Sequence, residues 1–135
     1  MKKKNIKPIL GCEFYLSQQD CEIKSDENRS LSHLCVLAKN RKGWDNLIQA
    51  VSKSNDEENY YYKPRLDLAT LNLFADGNLI SFSGHLGSDL ADAIFVDPKS
   101  AYNAKTEEEA KRYIHPDWVN EALKTANEYR AMFGK

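Results

Sequence analysis

The fold of this chain is indicated first by the stretch KPILGCEFYL (residues 7–16). It is mostly apolar, and Gly11 and Glu13 lie near its centre, so it predicts a β-strand that carries one carboxylate. The run LSHLCVLA (31–38) is almost continuously apolar and predicts a second strand, buried on both faces as the strands of a parallel sheet are. The run LISFS (79–83) predicts a third strand.

Segments with helical periodicity separate and follow these strands. The predicted helices span 44–52, 66–74, 89–95 and 116–133. In the first of them, an apolar stripe with i, i+3, i+4, i+7 spacing predicts the core-facing side, formed by Trp44, Leu47, Ile48 and Val51. Polar stretches at 17–31 and 53–60 predict loops. The alternation is typical of an α/β fold with about three mainly parallel strands, helical crossovers and a C-terminal helix.

The composition limits the classes of function. A chain of 135 residues fits one domain with a modest core. It has 19 basic and 20 acidic residues and a net charge of −1, so we do not expect it to bind DNA by itself. No apolar run approaches the ~20 residues of a membrane helix, and no apolar segment follows the basic start as in a secretory leader. We therefore expect a cytoplasmic protein that does not bind a membrane.

The cysteines indicate neither a disulfide framework nor a structural zinc knuckle. Cys12, Cys21 and Cys35 are odd in number, and no two of them form a Cys-x-x-Cys pair. Cys12 and Cys35 lie in predicted strands, where a thiol usually packs as a small buried hydrophobic group.

Three potential metal ligands are each associated with one predicted strand. Glu13 lies on the first strand, His33 lies on the second, and His85 follows the third. A divalent metal needs carboxylate or imidazole ligands that converge from different elements, often at strand ends. The alternatives stay open from the residues alone: Glu13 as a solvent-facing side chain, His33 as a buried hydrogen-bonded one, and His85 as a loop residue.

Basic and aromatic residues occur together at 60–65. Lys63 and Arg65 follow three consecutive tyrosines, and such a group can stack bases and hold phosphates. In the alternative interpretation, the tyrosines pack while Lys63 and Arg65 lie on the surface or pair with the acidic loop before them. No residue pattern identifies a catalytic group.

Several of these motifs resemble the PHP (polymerase and histidinol phosphatase) domain of the bacterial DNA polymerase III alpha subunit family. Residues 7–15 resemble the family segment KPIxGCExY, whose glutamate is a metal ligand and corresponds to Glu13. Residues 32–40 resemble its HLxxLAKN strand, whose histidine is another ligand and corresponds to His33. Both matches are specific, and the two motifs follow one another in the same order as in the family.

Further segments extend the resemblance over most of the chain. Residues 61–67 match the family motif YYKPRxD, and 129–134 are similar to its YxxxFG element. Residues 79–87 resemble LIxxSGCLxG, with His85 where the polymerases usually have a ligating cysteine. Histidine also ligates divalent metals, so coordination is retained there.

The resemblance implies a fold and a site that this chain contains only in part. Full PHP domains form a distorted (β/α)7 barrel that binds several metal ions, and some hydrolyse phosphoesters or proofread DNA. By resemblance, residues 1–135 are expected to be one truncated PHP domain with a partial barrel and an incomplete site for Zn, Mn or Mg. The remaining ligands would lie before Met1 and after Lys135, and the polymerase residues are absent from the sequence.

Three functions follow from this comparison. The first is a fragment of a DNA polymerase III alpha-like protein that is associated with DNA replication and is inactive as an enzyme alone. The second is a non-enzymatic interaction or decoy protein that binds replication or other machinery. The third is a small metal-dependent phosphoesterase. An incomplete barrel has strand edges that need pairing, so a homo-oligomer or a complementary chain is expected, with only indirect contact to DNA.

Overall fold

Three strands and six α-helices make up the regular structure of residues 6–84 and 86–134, which the computed structural model describes. The strands are β1 (Gly11–Ser17), β2 (Leu31–Ala38) and β3 (Leu79–Phe82). The helices are α1 (Arg41–Ser54), α2 (Leu68–Asn72), α3 (Asp89–Asp92), α4 (Pro98–Asn103), α5 (Glu107–Lys111) and α6 (Trp118–Phe133). A 3-10 turn, Glu27–Arg29, lies between β1 and β2.

The strands form an open sheet in the order β1-β2-β3, and both neighbouring pairs are antiparallel. The chain is therefore mixed α and β, but the prediction of mainly parallel strands is wrong. The segment over 18–30 reverses the chain, so β1 and β2 need no crossover helix between them. Helices α1 and α2 connect β2 to β3, and β3 runs antiparallel to β2.

The burial of β2 explains why its sequence suggested a parallel strand. Ser32, Leu34 and Val36 are at most 2% exposed, and the residues between them are half-buried. Apolar side chains such as Leu37 also occupy the second face, which hides the alternation in the sequence. One face of the sheet thus packs into the core, while the face that carries His33 is partly open.

Helix α1 packs on the core face of the sheet. Its buried positions are Gly43, Leu47, Ala50 and Ser54. The predicted stripe is correct at Leu47 and wrong at Ile48 and Val51, which are 46% and 37% exposed. Gly43 explains the difference: a Cβ at this position would overlap the backbone oxygen of Asn78, so only glycine lets the helix approach this closely.

Helix α6 begins at Trp118, slightly later than predicted, and ends at the core. Phe133 is 4% exposed and belongs to the buried cluster, against which Tyr129 also packs. Near the other end, Trp118 and Leu123 are 45% and 54% exposed, so only the C-terminal part of the helix enters the core. Neither α6 nor any other helix in the described part of the chain has the length and apolar character needed to cross a bilayer.

Candidate metal centre on the open face of the sheet

Two of the three predicted metal ligands lie in contact on the open face of the sheet. In the antiparallel register, His33 is opposite Tyr15 and Glu13 is opposite Cys35, so Glu13 and His33 are diagonal neighbours. A carboxylate oxygen of Glu13 lies 2.8 Å from Nδ1 of His33. The two side chains are 50% and 25% exposed, which leaves them accessible from solvent.

The imidazole of His33 is also held by an aromatic contact. The ring of Tyr15 packs edge-on against it, with 4.8 Å between the ring centroids. The carboxylate and the phenol ring together fix the plane of the imidazole. A ligand that is oriented in advance loses little freedom when a metal binds, so this geometry suits coordination.

The third predicted ligand, His85, lies outside the described residues. Its described neighbours lie against β2, because the amide of His33 donates to the carbonyl oxygen of Gly87 at 2.8 Å. On the other side, a Cβ at Gly84 would lie 2.9 Å from the sulfur of Cys35, and Gly84 has a φ of 82°. Both the contact and the backbone conformation therefore favour glycine at position 84.

Cys35 adds a potential donor that sequence analysis missed. It lies two residues after His33 on the same strand, so its side chain is on the same face. The alternation of side chains between the two faces of a strand was the sequence signal that could have identified Cys35. Burial raises the pKa of the Cys35 thiol and the charge of Glu13 raises it further, so the thiol is protonated until a metal displaces the proton. Carboxylate, imidazole and thiolate together fit Zn²⁺, and the first two also fit Mn²⁺.

Arg65, a predicted nucleic-acid contact, is a structural residue in the interior. It is 1% exposed, and its guanidinium donates to the carbonyl oxygens of Cys21, Ile23 and Asn28 at 3.1, 2.8 and 2.7 Å. All of these acceptors lie in the segment between β1 and β2. This position argues against a direct contact between Arg65 and a phosphate.

Lys63 lies close to the candidate metal centre. Its Nζ is 4.3 Å from the ring centroid of Tyr15, the ring that packs against His33. The preceding Tyr62 has a φ of 59°, which is uncommon outside glycine and costs free energy. A positive charge therefore stands near the face where Glu13 and His33 meet, and the prediction that Lys63 contacts nucleic acid stays a prediction.

A second group of ligand-type side chains lies in the described part of the chain, where Asp20, Cys21 and Asp67 offer atoms within 4.8 Å of one another. The carboxylate of Asp67 already accepts hydrogen bonds from the amides of Cys21 and Thr70. Burial acts to raise the pKa of Asp67, but these backbone bonds outweigh it and leave the pKa below its usual value. The sulfur of Cys21 donates to the side chain of Asn59. These bonds explain the cluster without a metal.

Comparison with known proteins identifies the family. The PHP domain family model matches residues 1–135. The chain therefore belongs to the PHP domain family, as its motifs predicted.

The relatives are DNA polymerase III alpha subunits. The chain is 33% identical to that of Helicobacter pylori over 98% of its length, and 38% identical to that of Chlamydia pneumoniae over 73%. The subunit of Deinococcus radiodurans is 37% identical over 63% of the chain. These matches cover 10%, 8% and 7% of the respective relatives, so the chain spans about a tenth of the length of such a polymerase subunit or less.

Proposed function

We propose that this chain is a partial PHP domain that acts in DNA replication, where it supplies Glu13 and His33 to a divalent metal site shared with further polypeptide. The observation that carries the proposal is the 2.8 Å contact between these two side chains on the open face of the sheet. They come from adjacent strands, and each occupies the motif position that holds a metal ligand in the family it resembles. We place this function in the cytoplasm.

The proposed role of the metal follows from its ligands. Glu13 would supply an anionic oxygen, and His33 would supply a neutral nitrogen that its neighbours already orient. Cys35, on the same face, is a further donor, and His85 stays a proposed ligand. When bound, Zn²⁺, Mn²⁺ or Mg²⁺ supplies Lewis-acid activation of a phosphoester and of water. Lys63, beside Tyr15, would add a positive charge near an anionic substrate.

The free edge of the sheet at β3 supports the proposal that another polypeptide completes the domain. Among the described strands, β3 pairs only with β2, and Ile80 and Phe82 on β3 are 49% and 50% exposed. A free strand edge with exposed apolar side chains offers unpaired backbone groups with which a strand of another chain can pair. We infer that residues 1–135 form a single truncated domain, completed by a complementary chain or a second copy, and that the isolated chain has little phosphoesterase or exonuclease activity.

Cobalt spectroscopy tests which side chains bind the metal. Co²⁺ is titrated into the full chain, and its visible absorption reports the coordination geometry while a thiolate–cobalt charge-transfer band in the ultraviolet reports Cys35. We expect Glu13→Gln and His33→Gln to weaken binding at least about tenfold. The matched controls are Glu22→Gln and His115→Gln, which make the same chemical changes elsewhere. Equal Co²⁺ binding by all of these variants would refute the proposed ligands.

A complementation experiment tests the proposed association. The chain is mixed with the flanking parts of a PHP domain from a related alpha subunit, and phosphoesterase activity is measured with Mn²⁺ or Zn²⁺. We expect activity in the mixture that exceeds the sum of the separate parts, and its loss in His33→Gln. If the chain alone is as active as the mixture, it is a self-sufficient enzyme and the proposal of a shared site fails.

A further inference from the structure

A groove lies along the free edge of β3, between this strand and α6. We define the β3 groove by Ile80, Ser81 and Phe82 of β3 and by Arg130 and Phe133 of α6, all of which line it. Its volume is about 370 Å³, within the usual range of ligand sites. Successive residues of β3 point to opposite faces of the sheet, so a groove that all three of them line follows the edge of the strand.

The backbone of β3 has unpaired groups at this edge. The amide of Lys39 donates to the carbonyl oxygen of Asn78 at 2.9 Å. Bonded pairs alternate along antiparallel strands, so Ile80 and Phe82 also form bonded pairs with β2, whereas Ser81 does not. The N–H and C=O of Ser81 therefore point to the free edge, and neither has a hydrogen-bond partner within residues 6–84 and 86–134. A strand of another chain can bond to both groups.

Apolar side chains form the two walls of the β3 groove. Ile80 and Phe82, both half-exposed, form the wall on the open face of the sheet. Leu34 and Phe133, which belong to the buried core, form the wall on the other face. Because side chains alternate between the faces of a strand, a strand added at this edge would place apolar residues against both walls.

The charged residues of the β3 groove are basic. Lys39 and Arg130 line it, and no aspartate or glutamate is among the described residues that do so. The ammonium of Lys39 donates to the carbonyl oxygen of Gly77 at 3.0 Å. Arg130 is exposed, and its guanidinium has no hydrogen bond or ion pair with any other described residue. A carboxylate on an added strand can form a bidentate pair with this guanidinium.

This charge disfavours a second copy of the chain as the occupant. Two β3 edges that pair about a twofold axis bring the same residues of both copies to one interface. That interface would contain two copies each of Lys39 and Arg130, and the grooves would supply no carboxylate to either pair. A different chain with an acidic residue in its strand is therefore the better complement.

We propose that the β3 groove binds an extended segment of another protein that alternates apolar residues and carries one acidic residue. The backbone of this segment would form hydrogen bonds with the N–H and C=O of Ser81, and its apolar side chains would pack on the two walls. Its carboxylate would pair with Arg130. The inference rests on the incomplete domain of the proposed function, but it does not depend on a metal at Glu13 and His33.

Fluorescence anisotropy with dye-labelled peptides tests this proposal on the full chain. The peptides alternate valine with threonine and differ only in the central residue, which is glutamate, glutamine or lysine. We expect saturable binding of the glutamate peptide, at least about fivefold tighter than that of the glutamine peptide, and protection of the Ser81 amide from hydrogen exchange in the complex. Absence of saturable binding, or equal affinity for all three peptides, would overturn the proposal.

The same titration with EDTA present separates this proposal from the metal site. Peptide binding should not change when metal is removed, because the β3 groove contains neither Glu13 nor His33. Failure of metal binding would then leave the peptide result intact, and failure of peptide binding would leave the metal result intact. Peptide binding that requires the metal would contradict a site formed by the strand edge and Arg130.

Arg130→Gln tests the charge pair. This variant should bind the glutamate and glutamine peptides within about twofold of each other, because the partner of the carboxylate is gone. The matched control is Arg112→Gln, which removes an exposed arginine that does not line the groove and should keep the preference for glutamate. Equal loss of the preference in both variants would mean that only net charge matters, and would refute the role of Arg130.

Ser81→Pro tests the strand pairing. It removes the edge-facing N–H without removing a hydrogen bond between β2 and β3, and proline is tolerated on edge strands in such positions. We expect at least about tenfold weaker binding of the glutamate peptide, whereas Ser81→Ala, which keeps the N–H, should stay within about twofold. Equal binding by the two folded variants would refute the pairing. A dimer of the free chain that Ser81→Pro disrupts in sedimentation would assign the groove to a second copy and would also overturn the proposal.

Discussion

Arg65 is predicted to stabilise the fold by holding the segment between β1 and β2. Its guanidinium reaches three backbone carbonyls in that segment, and it has no carboxylate partner among the described residues. The bonds to Cys21 and Asn28 are buried, and the bond to Ile23 is partly buried. Replacing the side chain with methionine keeps most of its length and removes all three bonds.

The expected loss of stability is about 3 kcal/mol. Hydrogen bonds from a charged donor usually contribute about 1.5–3 kcal/mol each, so three of them give an upper range of about 4.5–9 kcal/mol. Burying the cation costs desolvation, which the methionine variant recovers, and its side chain still fills much of the space. We therefore place the net effect of Arg65→Met below this range, at about 3 kcal/mol. For a domain of this size, about 3 kcal/mol corresponds to a fall of about 10 °C in melting temperature.

Urea unfolding followed by circular dichroism measures this effect. The midpoint should fall while the m-value stays unchanged, and amide exchange should accelerate across residues 18–30. The control is Lys63→Met, which removes an amine that lies 4.3 Å from the ring centroid of Tyr15 and should cost at most about 1 kcal/mol. A loss below about 1 kcal/mol in Arg65→Met would refute the role given to the three hydrogen bonds.

Three further perturbations test the packing and the caps. Gly43→Ala should destabilise the protein by about 2 kcal/mol or more in urea titrations, because the new Cβ meets the backbone oxygen of Asn78; an unchanged midpoint would contradict this contact. Leu47→Ala, at a position that is 1% exposed, should cost about 2–4 kcal/mol, and a loss like that of an exposed leucine would place Leu47 outside the core. Asp67 caps α2, and its pKa is lowered in the folded protein. Its contribution to the free energy of unfolding is therefore complete above the unfolded-state pKa of about 4, and it is lost as the pH falls through the lower folded-state pKa. Asp67→Asn should flatten this part of the stability profile between about pH 5 and pH 2, and an unchanged profile would exclude Asp67 as its source.

The sequence located the strands because each one is a short apolar run, but it did not reveal their directions. Parallel and antiparallel strands differ in the connections between them, and β2 carries apolar side chains on both faces, so its pattern suggested the wrong pairing. The side of α1 that faces the core was also misjudged. Its rotation depends on the contact between Gly43 and Asn78, which lie far apart in the chain.

Glu13 and His33 were predicted as metal ligands because they occupy recognised motif positions, and the structure adds that the two side chains are in contact. Their role as ligands stays a prediction. Cys35 was missed because a cysteine in an apolar strand usually packs as a hydrophobic residue. Arg65 was misinterpreted for a different reason. Its partners are main-chain carbonyls, which have no signal in the sequence, so an interior arginine and a phosphate-binding one look alike before the chain is folded.

Metal content tests the central proposal most directly. The chain is purified without chelators, equilibrated with Zn²⁺ or Mn²⁺, passed through a desalting column and analysed by inductively coupled plasma mass spectrometry. We predict about one ion per folded chain, and a several-fold loss in Glu13→Gln and His33→Gln but not in Glu22→Gln and His115→Gln. A folded chain that retains no ion, or one whose metal content is the same in all four variants, would contradict the assignment of Glu13 and His33 as ligands.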